Sequence, residues 1–169
     1  MTAKVFGSVL VILGCGGWGF DMGFRIKREI AALREWVDIL YFMKAELKTR
    51  ITPLPILFSK AAKRGKIFTG FLQQVTDALD QQATPDCSAC IRQALESSRE
   101  IPQGVRLFLQ RFGDDLGEFD LECQLNSLEA LHAECQFALE KLEISKDQKV
   151  RTYQTIGLCI GTALTILFF

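Results

Sequence analysis

The chain has 169 residues with 20 basic and 20 acidic side chains, so its formal net charge at pH 7 is zero. That balance gives no support for nucleic-acid binding through a basic surface. Hydrophobic residues make up 49% of the chain although 24% of it is charged, and two apolar ends account for the excess. The length fits one domain with accessory segments.

The N-terminal end is uncharged from Val5 to Phe20 and leads into a basic segment at residues 25–28. This pattern favours an uncleaved membrane helix over residues 1–24. Two alternatives are open. A cleaved signal peptide would need more than one basic residue before the apolar run and an A-x-A site after it. A lipoprotein signal is approximated by the letters I-L-G-C ending at Cys15, and it would place the domain outside the cytoplasm.

The C-terminal end is the second predicted anchor. Residues 152–169 contain no charge, and about eighteen residues is the minimum length of a helix that crosses hydrocarbon. A second basic segment precedes them at residues 146–151, so both basic segments lie on the side of the middle of the chain. Short basic flanks stay in the cytoplasm. We therefore expect a cytoplasmic domain over residues 25–151 between two transmembrane helices.

One acidic residue, Asp21, interrupts the first apolar segment. A carboxylate is costly near the centre of a bilayer. We therefore expect Asp21 at the membrane interface, where it pairs with Arg25 four residues later on the same helix. The alternative is a polar contact between Asp21 and a partner membrane helix.

The middle of the chain has helical patterns throughout. Its first helix is expected to continue the N-terminal anchor and to end at the turn Thr52–Pro55, because a residue before proline is pushed away from helical angles. A proline of that turn also fits the first turn of the next helix. Pro85 and Pro102 each suit the first turn of a later helix, with Thr84 as a cap before Pro85. No segment alternates with period two. The predicted fold is therefore all-α, a bundle of about six helices flanked by the two anchors.

Apolar residues at helical spacing predict the buried faces. In the first helix they are Ile26, Ile30, Leu33, Val37, Leu40, Tyr41, Met43, Leu47 and Ile51. In the helix after Pro102, which is expected to end in a loop over Gly113–Gly117, they are Val105, Leu107, Phe108, Leu109 and Phe112. In the last helix they are Leu121, Leu125, Leu128, Leu131, Cys135, Leu139 and Leu142.

Cys87 and Cys90 form a C-x-x-C pair near a predicted helix N-terminus, a position that lowers thiol pKa values. The spacing is typical of a dithiol redox site or of half a metal site. No strand precedes this helix and no second C-x-x-C supplies further zinc ligands, so we interpret the pair as buried thiols. Six cysteines scattered through helical patterns are no disulfide framework and indicate a reducing compartment.

Two further features are weighed as chemistry. His132 is the single histidine and has no recognisable nucleophile or carboxylate arrangement around it in the sequence. Asp114, Asp115, Glu118 and Asp120 lack the ligand spacing of an EF-hand, and capping of a helix N-terminus by Asp115 or Glu118 explains them. No phosphate-binding loop or G-x-S-x-G motif is present. We therefore predict no catalytic, cofactor-binding or metal-binding residue, and a protein that is not an enzyme.

Three stretches, taken in order, resemble a known family. They are Gly19-Phe20 with the basic exit Arg25–Arg28, the helix ending Glu46-Leu47, the turn Thr52–Pro55 and Phe58; Leu116-Gly117 with Asp120 and Gln124, similar to an L-G-x-x-D-x-x-x-Q helix entry; and Tyr153 with Ile156-Gly157 before the terminal anchor. Over essentially its whole length the chain resembles the stage III sporulation protein AB family of endospore-forming bacteria. One departure is the residue pair Cys90-Ile91, where the family tends to carry a tryptophan.

The resemblance implies a non-enzymatic component of the complex that links mother cell and forespore during endospore formation. It also implies a domain similar to the cytoplasmic helical domains of inner-membrane platform proteins in type II secretion and type IV pilus machines. The implied location is the mother-cell membrane facing the forespore. The implied partners are a secretion-type ATPase and other membrane subunits, with a homo-oligomer possible. The alternative function is a membrane-tethered thiol redox protein that uses Cys87 and Cys90.

Overall fold

The computed structural model describes the backbone of residues 2–50, 52–81, 87–116 and 121–168, and side chains from residue 21 on except residue 121 and part of 153–168. These ranges contain six α-helices and no strand, which confirms the predicted all-α fold. The helices are α1 (Thr2–Arg50), α2 (Leu54–Ala62), α3 (Thr69–Asp80), α4 (Cys87–Ser97), α5 (Gln103–Asp115) and α6 (Leu121–Phe168).

The chain divides into two compact units. One is the bundle Glu29–Glu140, and the other combines Met1–Arg28 with Lys141–Phe169. As predicted, α1 and α6 each run without a break from the bundle into the terminal segments. Among the residues searched, no helix has both the length and the apolar composition that a membrane crossing requires. Much of the predicted anchors lies outside the residues whose side chains are described, so the two anchors and their domain boundaries stay predictions.

Prolines begin two of the short helices as the sequence predicts. Pro53 and Pro102 stand at the N-cap positions of α2 and α5, with φ/ψ of −55°/143° and −59°/143°. These extended angles end the preceding segment, and the missing proline N–H removes no intrahelical bond at that position. Thr84 and Pro85 lie outside the described residues. One prediction here is wrong, because Gly113 belongs to α5, which ends at Asp115, and not to a loop.

Gly113 lies where α5 packs closely against α4. It is buried, and a Cβ placed there would lie 3.0 Å from one methyl of Ile91 and 3.2 Å from the Ile91 Cβ. The missing side chain therefore lets α5 approach α4. Glycine was expected as a helix terminator, but close packing is its role at this position.

The core is centred on Trp36, whose side chain is completely buried. Its ring centroid lies 5.2 Å from that of Phe68 and 5.1 Å from that of Phe112, the second pair edge to face. Phe58 meets Phe112 edge to face at 6.0 Å. These contacts join α1, α2, α5 and the residue preceding α3 around one aromatic cluster. Such pairs add about 0.5–1.5 kcal/mol each beyond the burial of their area.

The predicted buried faces need several corrections. Trp36 was missing from the predicted face of α1, whereas Tyr41 is 66% exposed. Leu107 of α5 is also exposed, because it lies off the stripe that the buried residues of that helix form at spacings of four and three. On the predicted face of α6, the buried residues are Leu128, Leu131 and Cys135. Leu125, Leu139 and Leu142 are half-buried, the last two where α6 leaves the bundle at Glu140.

Charged side chains form hydrogen bonds with backbone groups at the ends of the short helices. One carboxylate oxygen of Glu35, on α1, accepts hydrogen bonds from the backbone N–H groups of Lys66, Ile67 and Phe68 at 2.7, 2.8 and 3.1 Å. Three consecutive N–H groups that converge in this way form a concavity for an anion. Since they lie just before α3, the carboxylate also faces the positive end of that helix.

Arg106 of α5 binds backbone groups at and after the C-terminal end of α4. Its guanidinium donates hydrogen bonds to the backbone carbonyls of Leu95, Ser98 and Ile101 at 3.0, 2.5 and 3.3 Å. The last carbonyls of a helix have no intrahelical donor, and a cation there complements the helix dipole. Glu35 and Arg106 had no assigned role in the sequence, because both act on backbone groups of other elements.

Candidate functional site

The two cysteines of the C-x-x-C pair lie in the first turn of α4. Cys87 is half-buried, whereas Cys90 is completely buried. Cys90 borders a cleft of about 280 Å³ between α3 and α4, lined mainly by polar residues such as Gln74 and Gln93. None of the described cysteines forms a disulfide. The burial of Cys90 indicates that this thiol packs in the core, whereas Cys87 keeps part of its surface exposed.

His132 lies on α6 beside a tyrosine of α1. The ring centroids of His132 and Tyr41 are 6.2 Å apart at 44°, which is a packing contact at the edge of the bundle. Nearby, Cys135 is buried, and burial followed by the charge of Glu134 raises the pKa of the Cys135 thiol to about 12. A thiol with that pKa stays protonated at neutral pH and is a poor nucleophile. No group of three or more metal-ligating side chains occurs in the described residues.

The acidic cluster is divided by the fold. Asp114 and Asp115 belong to the last turn of α5, whereas Glu118 and Asp120 lie outside the described residues. The Asp114 carboxylate accepts a hydrogen bond from the Arg92 guanidinium of α4 at 2.9 Å. Asp115 is thus the last residue of α5, and helix capping by Asp115 or Glu118 stays a prediction. The pair with Arg92 offsets the unfavourable position of a carboxylate at a helix C-terminus.

Two carboxylates of the bundle titrate below their ordinary range. The hydrogen bond from Lys60 at 3.1 Å, together with one from Thr52, holds the pKa of Glu46 below 4.5 against the opposing effect of desolvation. The Lys44 ammonium, 2.7 Å from Glu129, lowers the pKa of that carboxyl in the same way. These are ion pairs between helices, and they stabilise the arrangement without forming a reaction centre.

The surface of the bundle carries isolated apolar side chains. Tyr41 is 66% exposed and Phe137 is 69% exposed, with Ile56 and Leu107 above one half. They lie on α1, α6, α2 and α5 respectively. Single exposed apolar residues are common on protein surfaces, and contiguous patches are the better sign of an interface. These four side chains are therefore single exposed apolar residues around a packed core.

In the unit formed by the terminal segments, Asp21 is described and its predicted partner is confirmed. The Arg25 Nε donates a hydrogen bond to the Asp21 carboxylate at 2.9 Å, and both side chains are exposed. The depth of this pair in a membrane stays a prediction. The alternative, a polar contact between Asp21 and a partner membrane helix, also stays a prediction.

The chain was compared with protein families, curated proteins and solved structures. No curated protein and no solved structure matches the chain. A family model described as Stage III sporulation protein AB matches residues 4–169, which is nearly the whole chain. The three resembling stretches found in the sequence lie within that range. The chain belongs to the stage III sporulation protein AB family.

Proposed function

We propose that this protein is a non-enzymatic membrane platform in the secretion-like complex between mother cell and forespore. Family membership implies a role in sporulation. The proposed platform has two terminal anchors in the mother-cell membrane and a cytoplasmic bundle that contacts other subunits. Its mechanism is positional, because the bundle holds partners at the membrane surface and performs no reaction.

One observation carries this proposal. Helices α1 and α6 run unbroken from the bundle into the two terminal segments, which contain the charge-free stretches 5–20 and 152–169. An uninterrupted helix satisfies its own backbone hydrogen bonds, as a membrane segment must. Basic residues at 25–28 and 146–151 flank both segments on the bundle side, which favours a cytoplasmic bundle.

The proposed partners are a secretion-type ATPase and membrane subunits of the same complex, with self-association as a further option. A non-catalytic platform needs exposed contact positions, and the bundle presents Tyr41, Ile56, Leu107 and Phe137 on four different helices. Aromatic residues among these are the ones that interfaces most often use as anchors. Separate faces would allow more than one subunit to bind at once.

Topology gives the direct test. A reporter cysteine is introduced by Arg99→Cys, at an exposed position in the bundle, or by Thr2→Cys before the first anchor. Each full-length variant is produced in a bacterial inner membrane and treated with a membrane-impermeant maleimide, with and without permeabilisation. We expect the Thr2→Cys reporter to gain one label in intact cells and the Arg99→Cys reporter to gain it only after permeabilisation. Labelling of the bundle reporter in intact cells would refute the cytoplasmic assignment.

The thiol redox alternative makes a different prediction. Deletion of the gene in its spore-forming host should reduce heat-resistant spores, and the chain with Cys87→Ser and Cys90→Ser should restore them if the protein is a platform. A redox protein would lose its function with both thiols removed. Because Cys90 is buried, the protein level of the double variant is measured alongside, and Cys123→Ser serves as an exposed control.

A further inference from the structure

The unit of Met1–Arg28 and Lys141–Phe169 contains a defined contact between its two helices. A Cβ at Gly23 of α1 would lie 3.6 Å from a methyl group of Val150 on α6, which is ordinary van der Waals contact. Helices α1 and α6 run antiparallel, since Tyr41 lies beside His132 and Lys44 beside Glu129 in the bundle. The Gly23–Val150 contact therefore fixes which residues of the two helices share one level.

That register brings the two basic segments of the sequence to the same level. The six cations are Arg25, Lys27, Arg28, Lys146, Lys149 and Arg151. Counted from the Gly23–Val150 contact, they occupy about 9 Å along the helix axes at a rise of about 1.5 Å per residue. Three carboxylates, Asp21, Glu29 and Asp147, lie in or beside this basic band, which leaves three positive charges in a chain with no net charge.

The basic band also has an exposed aromatic side chain. Phe24 is 70% exposed, and the Lys27 ammonium lies 5.9 Å from its ring centroid. A ring in contact with a cation suits the boundary between hydrocarbon and water, where apolar stems and charged heads separate. The headgroup layer of a bilayer is roughly 5–8 Å deep on each side, which is close to the axial width of the band.

We infer that the basic band binds anionic phospholipid headgroups at the surface of the membrane in which the chain is anchored. This inference rests on the proposed membrane anchoring and adds a lipid preference to it. Clusters of four or more Lys and Arg immediately next to a membrane segment attract anionic lipids. Within the band, Asp21 already holds Arg25 through the 2.9 Å hydrogen bond. Lys27, Lys149 and Arg151, all exposed, are the cations assigned to headgroup phosphates.

The test uses the full-length chain reconstituted in phosphatidylcholine vesicles with traces of spin-labelled phosphatidylglycerol or phosphatidylcholine. Electron paramagnetic resonance measures the fraction of each labelled lipid immobilised by the protein. We expect phosphatidylglycerol to associate about threefold more strongly than phosphatidylcholine at low salt, and the preference to fall at roughly 0.5 M salt. The triple variant with Lys27, Lys149 and Arg151 each changed to Gln should show no preference.

Two matched variants make the result specific. Lys48→Gln with Lys63→Gln and Arg99→Gln removes the same charge from the bundle and should keep the threefold preference. Asp147→Asn removes a carboxylate from the basic band and should strengthen the preference. Circular dichroism confirms that each variant keeps its helical content.

The outcomes separate the inference from the function on which it rests. A chain that resists alkaline carbonate extraction but binds both lipids equally refutes the lipid preference and leaves the anchoring intact. A preference that survives the triple variant also refutes a headgroup site in the basic band. A chain that carbonate extracts from the vesicles refutes the anchoring and the lipid site together.

Discussion

Replacement of Glu35 by alanine is the sharpest perturbation of this fold, because one carboxylate oxygen accepts three backbone hydrogen bonds. Each hydrogen bond to a charged group contributes about 1.5–3 kcal/mol. Three donors share a single oxygen, and the exposed N–H of Lys66 regains a water partner when the carboxylate is lost, so the contributions do not add. We expect Glu35→Ala to lower the free energy of unfolding by about 2–3 kcal/mol.

The conservative variant separates charge from hydrogen bonding. Glu35→Gln keeps an acceptor oxygen but removes the negative charge that faces the start of α3, so about half of the loss is expected. Glu96→Ala removes an exposed glutamate from α4 and should change stability by no more than about 0.5 kcal/mol. This control shows whether any lost glutamate side chain would have the same effect.

The assay is urea unfolding of the full chain in detergent micelles, followed by tryptophan fluorescence. Trp36 is a local reporter when Trp18, the other tryptophan of the chain, is replaced by phenylalanine in every variant. The Trp36 ring packs on Phe68, the last of the three residues that bind Glu35. Hydrogen exchange measured by mass spectrometry then localises the change, and residues 66–68 with α3 should exchange faster. If Glu35→Ala unfolds at the wild-type urea concentration and exchange at 66–68 is unchanged, the reasoning is wrong.

Three further predictions concern packing, pH and thiol reactivity. Gly113→Ala should lower the free energy of unfolding by about 1–3 kcal/mol, because the new Cβ meets the branched side chain of Ile91 at 3.0 Å. Gly70→Ala, where a Cβ has nothing within 4 Å, should raise that free energy by up to about 1 kcal/mol. Equal urea midpoints for the two variants would contradict this prediction. The pKa of Glu46 is lower in the folded protein than its ordinary value of 4.5. Its ion pair therefore contributes fully to stability above pH 4.5, and this contribution is lost as the pH falls through the lower folded-state pKa. Urea unfolding across that range should therefore show a flatter acid branch for Glu46→Gln, and an unchanged branch would refute the assignment. Cys135, with a pKa of about 12, should resist a maleimide at about pH 8 that modifies exposed Cys123; comparable modification in peptide mass spectra would show that the site opens.

The sequence predicted the helical class, the two long terminal helices and the proline-marked starts of α2 and α5, because these depend on local chemistry. It misplaced the buried face of α1. Leu33, Trp36, Leu40, Met43 and Leu47 are all buried and follow one another at spacings of three and four, so the signal was present. The predicted face added exposed Tyr41 and omitted Trp36, since several apolar residues at neighbouring positions satisfy a helical period almost equally well.

The hydrogen bonds of Glu35 and Arg106 to distant backbone groups could not be predicted from local sequence. Glu35 binds backbone groups 31 to 33 residues away, and no spacing rule connects a glutamate in one helix to unpaired amides in a distant loop. The same holds for Arg106, whose acceptors are carbonyl oxygens that every residue has. The functional proposal depends on whole-chain features, namely terminal apolar segments, basic flanks and family resemblance, because the proposed platform role uses no catalytic motif.

These contacts explain how the short helices form one ordered bundle. Helices α2 to α5 have 9 to 13 residues each, and isolated helices of that length are marginal in water. Three carboxylates of α1 serve three of them: Glu46 holds Lys60 of α2, Glu35 holds the amides before α3, and Glu29 lies against the first turn of α5. The fourth, α4, is held by Arg106 of α5. Helix α1 is thus the element on which the bundle is ordered, so a partner that bound α1 would act on the ends of three helices at once.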